Sequence, residues 1–116
     1  MSGTYDLEER TLAFAKKVRA FVRQLRMDIP NIEDIKQLVR ASGSVGSNYI
    51  EANEALSRKD FRHRIKICRK ESKETRYWLK LINVFDDQEL EKTRKELIQE
   101  SEEFLKIFSS ILIKTQ

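Results

Sequence analysis

Residues 57–82 read SRKDFRHRIKICRKESKETRYWLKLI, and this stretch carries two helical stripes at once. Phe61, Ile65, Cys68, Leu79 and Ile82 lie on one line of three- and four-residue steps, with the small Ser72 and Thr75 in its middle. That step places them on one face of an α-helix, which turns every 3.6 residues. Lys59, Arg62, Lys66, Arg69, Lys73, Arg76 and Lys80 follow the same step on the opposite face. Ser57 and Asp60 form a capping box at the entry, where side-chain oxygens satisfy backbone N–H groups that have no partner inside the helix.

The segments on either side carry the same signals. Downstream, Asp86 and Glu89 open a helix whose stripe is Leu90, Leu97, Phe104, Phe108 and Ile111. Upstream, Asn31 is the expected cap of a helix with Glu33 and Asp34 in its first turn and a stripe of Ile35, Leu38, Val39, Val45, Tyr49 and Leu56. Before it, Asp6 and Glu9 signal a start, Leu7, Phe14, Val18, Phe21 and Leu25 form the stripe, and Pro30 is expected to end the helix by disfavouring the α conformation at Ile29. The expected helices cover about 7–27, 32–56, 58–84 and 87–113. Joined by short turns, they predict an all-α, antiparallel up-and-down four-helix bundle in one domain over residues 1–116. The segment Ala41–Ser47 leaves two readings open. Gly43 and Gly46 either let a neighbouring backbone approach a continuous helix, with Ser72 and Thr75 completing a narrow layer, or mark a loop that splits it.

Bulk composition agrees. The 116 residues are 40% hydrophobic, enough for a core, and three Gly and one Pro are too few turn-formers for an all-β fold. No apolar run approaches the length of a membrane span, and Met1–Asp6 lacks the basic and apolar regions of a signal peptide. With a single cysteine, Cys68, this sets the expectation of a cytoplasmic protein without an internal disulfide.

Two stretches carry a resemblance. Ser44-Val-Gly-Ser-Asn-Tyr-Ile-Glu-Ala52 with Ser57-Arg-Lys-Asp-Phe61, and Cys68-Arg-Lys-Glu-Ser-Lys-Glu-Thr-Arg-Tyr-Trp-Leu79, resemble the four-helix-bundle proteins encoded by intervening sequences in 23S ribosomal RNA genes. That resemblance implies a bacterial origin, a bundle fold and a ring-like homo-oligomer, a pentamer. The family in turn looks similar to the accessory proteins of diversity-generating retroelements, basic pentameric bundles that bind nucleic acid and a reverse transcriptase. No catalytic residue comes with either resemblance.

Charge placement supplies the functional candidates. The net charge of +4 hides a local +7 over residues 58–80 and −5 over residues 86–103. Lys16, Arg19, Arg23 and Arg26 make a second basic face, opposite the apolar stripe of the first helix. Solubility alone is served by mixed charges, so a face of cations that repel one another points to an anionic partner. The candidates are the phosphates of RNA or DNA, with RNA favoured, and the acidic fourth helix of a neighbouring subunit, with an ordinary solvated helix face as the plain alternative. A scaffold that binds a protein partner through its ring is the alternative function. Ile67, Leu81, Val84, Ile107 and Ile113 lie off the main stripes and favour self-association.

Other residues are weighed the same way. Asn48 and Glu51 are either ordinary surface polarity or a subunit-facing pair that fixes register. Tyr77 and Trp78, beside the core stripe, are expected to pack in the core or an interface rather than stack on bases. Arg58 and His63 match an Arg-x-x-x-x-His spacing of RNA-cleaving bundles, but such a pattern arises easily in so basic a helix, and no catalytic residue is assigned. One His and one Cys do not make a zinc site, and no cofactor is expected.

Overall fold

The computed structural model describes the backbone of residues 3–116 and the side chains from Leu7 onward. Four helices follow one another with short turns: α1 (Gly3–Val22), α2 (Ile29–Asn53), α3 (Arg58–Leu81) and α4 (Gln88–Lys114). Each packs on its chain neighbours, and α4 returns to α1 along the thinnest seam, so α1 and α3 stand on diagonal corners. The result is an all-α antiparallel bundle 46 Å long.

The stripes meet in the centre. Phe14, Val18 and Phe21 of α1, Leu38, Val45 and Tyr49 of α2, Ile65, Cys68 and Leu79 of α3, and Leu97, Phe104 and Phe108 of α4 are all buried. Phe14 meets Phe104 edge-on at 5.3 Å between ring centres, and Phe108 contacts both Phe104 and Tyr49. Five buried Ser and Thr hydroxyls bond back to carbonyls of their own helix, namely Thr11, Ser42, Ser72, Thr75 and Ser101, so none of them is left unsatisfied.

The turns differ from the expectation. The first helix begins at Gly3, which leaves Asp6 inside it, with its side chain outside the described residues, and it stops at Val22, short of residue 27. Pro30 does not end it. Pro30 lies in the first turn of α2, where its missing N–H costs nothing, and Asp28 rather than Asn31 is the cap, accepting from the Asn31 N–H at 2.9 Å. Similarly, Asp87 rather than Asp86 caps α4, accepting from Leu90 N–H at 3.0 Å. Ser57 caps α3 as expected, through Asp60 N–H at 3.0 Å. α2 ends at Asn53, which strands Leu56 in the turn at 97% exposure. α3 ends at Leu81, three residues before 84, and α4 runs one residue past 113. In α4 the buried residue near the end is Leu112, with Ile111 packed partly against the core.

Asn31 is released from capping for another role. Only 1% exposed, it donates through Nδ2 to Arg26 O and Asn83 O, both at 2.9 Å, while its Oδ1 accepts from Asn83 N–H at 3.0 Å. It therefore ties the α1–α2 turn to the α3–α4 turn. The latter holds Phe85 and Asp86 in the left-handed region, at φ 53° and 62°, where side chains are strained. Asn83 Oδ1 accepts from Phe85 N–H at 2.7 Å, and the Arg26 guanidinium covers the Phe85 ring at 4.3 Å.

The helix is continuous through Ala41–Ser47, and the close approach it permits is to α1. A methyl on Gly46 would come within 2.8 Å of Thr11 Oγ1 and 3.1 Å of Thr11 Cβ, whereas one on Gly43 meets only the Arg19 side-chain tip at 3.4 Å. Ser72 and Thr75 instead face the core from α3.

Two outcomes follow from these contacts. Gly43→Ala should be neutral or stabilise by up to about 1 kcal/mol, while Gly46→Ala should destabilise by about 1–3 kcal/mol, since Thr11 is buried and bonded in place. Urea unfolding of the two variants separates them, and equal midpoints would remove the close α1–α2 approach. Asn31→Ala should cost about 2–3 kcal/mol by leaving buried groups unpaired. Asn31→Asp should do no better, because its carboxylate would face the Arg26 and Asn83 carbonyls; wild-type thermal stability in either variant would dismiss the clasp.

Candidate nucleic-acid interface

Two arginines hold carboxylates on either side of the cationic face of α3. The acidic residues in the middle of α3 face α2, where Arg40 bridges Glu71 at 3.3 Å and Glu74 at 3.1 Å. On the far side, Glu100 and Glu103 of α4 are held by Arg10 of α1, Glu100 at 3.0 Å. The bond to Glu100, followed by that to Glu103, raises the Arg10 pKa against the opposing effect of burial. Glu103 is held below the usual carboxylate range first by the Gln99 amide and then by Arg10. Carboxylates on both sides of α3 are thus drawn away from its outer face.

The eleven basic residues singled out in the sequence divide accordingly. Lys66, Arg69 and Lys73 stand exposed along the middle of α3, joined by Lys70, and none has a carboxylate partner among the described residues. With Arg76 they surround a shallow groove of about 490 Å³ floored by Leu105 of α4. Arg76 also reaches Glu102 at 3.7 Å. Arg62 serves the fold instead, donating to Leu112 O at 2.6 Å and Thr115 Oγ1 at 2.8 Å, where it closes the C-terminus of α4. Lys59 and Lys80 are exposed at the two ends.

The basic face of α1 is not joined to that of α3, because the helices are diagonal. Lys16 and Arg23 are exposed there, Arg26 covers Phe85, and Arg19 donates to Ala15 O at 3.2 Å. Lys16 and Arg19 instead border a groove of about 320 Å³ between α1 and α2, lined by Leu12, Ala15 and Ile50.

The other candidate residues lie in different surroundings. Tyr77 is not packed in the core; it is 57% exposed, edge-on to Trp78 at 5.1 Å, and Trp78 alone packs against the core. Asn48 is engaged within the chain, accepting from Arg64 Nη1 at 2.9 Å and donating to Ser44 O. Of the leftover apolar residues, Val84 is buried and Ile107 packs on the core, while Leu81 and Ile113 stay exposed. Lys70 and Tyr77 were both in the sequence; their one-turn spacing to Lys73 was the signal that could have added them to the face. His63 is exposed and borders a shallow pocket with Glu51, Glu54, Asp60 and Arg64. Among the described residues no group of three His, Cys, Asp or Glu is placed to hold a metal ion, and no helix is long and apolar enough to cross a membrane.

The fold and its polarised surface define an all-α bundle whose distinguishing feature is one cationic helix face. Residues 5–110 match the family described as 23S rRNA-intervening sequence protein, and the chain belongs to that family. It is also similar to a protein of unknown function from the S23 ribosomal protein family of Bacteroides thetaiotaomicron, with 28% identity and a TM-score of 0.77 over 96% of this chain and 98% of that one. No curated protein matches the sequence.

Cys68 lies beneath this face, donating to Val45 O at 3.4 Å, and burial pushes its thiol up to about 12. At pH 8 the thiolate, the reactive form, should be scarce and inaccessible. Ellman's reagent should therefore label native protein far more slowly than unfolded protein; equal rates would show that the core opens on the timescale of labelling.

Proposed function

We propose that the chain is a non-enzymatic, homo-oligomeric module that binds nucleic acid through the outer face of α3. The observation that carries this is the run Lys66, Arg69, Lys70 and Lys73, exposed without carboxylate partners among the described residues although an acidic helix packs alongside. Mutual repulsion among these cations is offset when phosphates lie against them. Pairing with the α4 helix of another subunit is the weaker account, since Glu91, Glu100, Glu102 and Glu103 already have partners within the chain.

RNA is preferred to DNA on the strength of the family's ribosomal names alone. Such contacts fix position on the backbone without reading sequence. Exposed Leu81 and Ile113 support self-association, and the family suggests a pentameric ring. The apolar groove with Leu12 and Ile50 supports a second reading, an adaptor that docks a protein between α1 and α2. The buried, protonated Cys68 suits a reducing, cytoplasmic setting.

Salt dependence tests the proposal. From Lys66 to Arg76 the stripe spans roughly 15 Å of helix, enough for about four phosphates of one strand. Log affinity should fall with log salt at a slope of roughly −3 to −4. Replacing Arg69 and Lys73 with Glu should weaken binding to unrelated sequences about equally and make the slope shallower by roughly 1.5–2. Helix content and oligomer mass should be unchanged, because both side chains are exposed. Unchanged affinity in an intact oligomer would remove α3 from the surface. No binding by the unmodified protein at low salt would leave the adaptor.

A further inference from the structure

Resting on the phosphate-binding role of α3, we propose that Tyr77 is a stacking platform that makes this surface selective for single-stranded RNA over duplex. The juxtaposition is local. Tyr77 follows Arg76 directly, lies one turn beyond Lys73 and precedes Lys80 by three residues. Residues three and four apart share a helix face, so the ring sits at the border of the cationic stripe, about 6 Å along the axis from Lys73.

The environment of the ring is unlike that of the other aromatics. Phe14, Phe21, Tyr49, Phe104 and Phe108 are almost wholly buried, Phe61 and Trp78 pack partly on the core, and Phe85 lies beneath Arg26. Tyr77 is the aromatic side chain that stands exposed among the described residues. Its orientation is supported, because it meets the half-buried Trp78 edge-on, with ring planes 80° apart. An edge-to-face contact supports the ring and leaves at least one of its faces uncovered by Trp78 and available to a base. Trp78 in turn is anchored on the core, so the platform is preorganised by the fold.

Phosphates on Lys66, Arg69 and Lys73 bring a strand along α3, and its next base reaches the Tyr77 ring only if it is not already stacked inside a helix. In duplex RNA the bases are paired and their faces covered, whereas unpaired bases stack on aromatic side chains with little regard to sequence. The cations thus hold either form of nucleic acid, and Tyr77 adds affinity for one of them.

Fluorescence anisotropy with a fluorescein-labelled 15-nucleotide single-stranded RNA and its perfect duplex tests this on the full chain. The wild type should prefer the single strand. Tyr77→Ala should lower single-strand affinity roughly 5- to 150-fold while leaving duplex affinity and the salt slope unchanged. Tyr77→Phe should retain the preference, because the ring stacks and the hydroxyl does not. A 2-aminopurine base in the single strand should be quenched by wild type and by Tyr77→Phe but not by Tyr77→Ala. Equal loss on both ligands, or no loss on either, would overturn the inference while leaving the phosphate surface in place. A changed oligomer mass in Tyr77→Ala would overturn it by making Tyr77 a subunit contact. Failure of the wild type to bind either ligand would overturn the phosphate-binding role itself, and this inference with it.

Discussion

Arg40 and Arg10 stand on different helices, and between them they hold four carboxylates, while Glu102 pairs with Arg76 at the edge of the α3 stripe. Arg40 draws Glu71 and Glu74 toward α2, and Arg10 draws Glu100 and Glu103 toward α1. Glu71 is nearly buried while Arg40 is half exposed, so the bridge offsets part of the cost of placing a carboxylate at the edge of the core. The exposed ends of these bridges contribute little stability in themselves. Their larger effect is directional. Once these four acids are fixed in the α2–α3 and α1–α4 seams, the stretch from Lys66 to Lys73 is left with one sign of charge, and Glu102 meets the stripe at Arg76.

The same rotation of α3 explains why its two faces do not interfere. The inner face is Ile65, Cys68, Ser72, Thr75 and Leu79, small in the middle and wholly apolar at the ends. The two small residues satisfy their hydroxyls on their own helix, at 2.8 and 2.7 Å, so neither needs a polar partner on a neighbouring helix. The hydroxyls of the central turns are thus met within α3, Glu71 and Glu74 by Arg40, and the Cys68 thiol by Val45 O of α2. The cations outside are not needed to hold the fold, with Arg62 and Arg76 as the exceptions.

Those exceptions mark the limit of what spacing reveals. Periodicity identifies which residues share a face, and it placed Phe14, Val45, Ile65 and Phe104 in the core where they are found. It cannot say which neighbour a long side chain will meet. Arg62 looks like one more member of the stripe until the α4 C-terminus arrives beside it with open carbonyls. Tyr77 looks like core because it adjoins Trp78, yet the 100° between successive residues turns one inward and the other to solvent. At the ends, three local solutions compete within a few residues. Asp28 takes the cap because Pro30 suits the first turn after it, and this frees Asn31 for a partner 52 positions away that no local rule could supply. Gly46 was legible as a close approach, but its partner Thr11 belongs to α1, and only the assembled bundle shows which helix comes near.

Where the candidate surface sits also bears on how well it can hold its shape. α3 packs extensively on both of its neighbours, whereas α1 and α4 share the thinnest seam of the bundle. Local opening follows the sparsest packing, so fluctuation should concentrate at that seam and leave α3 undisturbed. A rigid helix fixes the spacing of Lys66, Arg69, Lys70 and Lys73, and only the side chains beyond Cβ have to be ordered when an anion binds. Lysine and arginine stems lose rotamer freedom in doing so, which weakens each contact and favours many shallow ones over a single deep site. A groove floored by Leu105, open along its length and rimmed by cations, fits that demand better than an enclosed pocket would. The geometry therefore suits a long polyanion, gripped at several points, more than a small anion held at one.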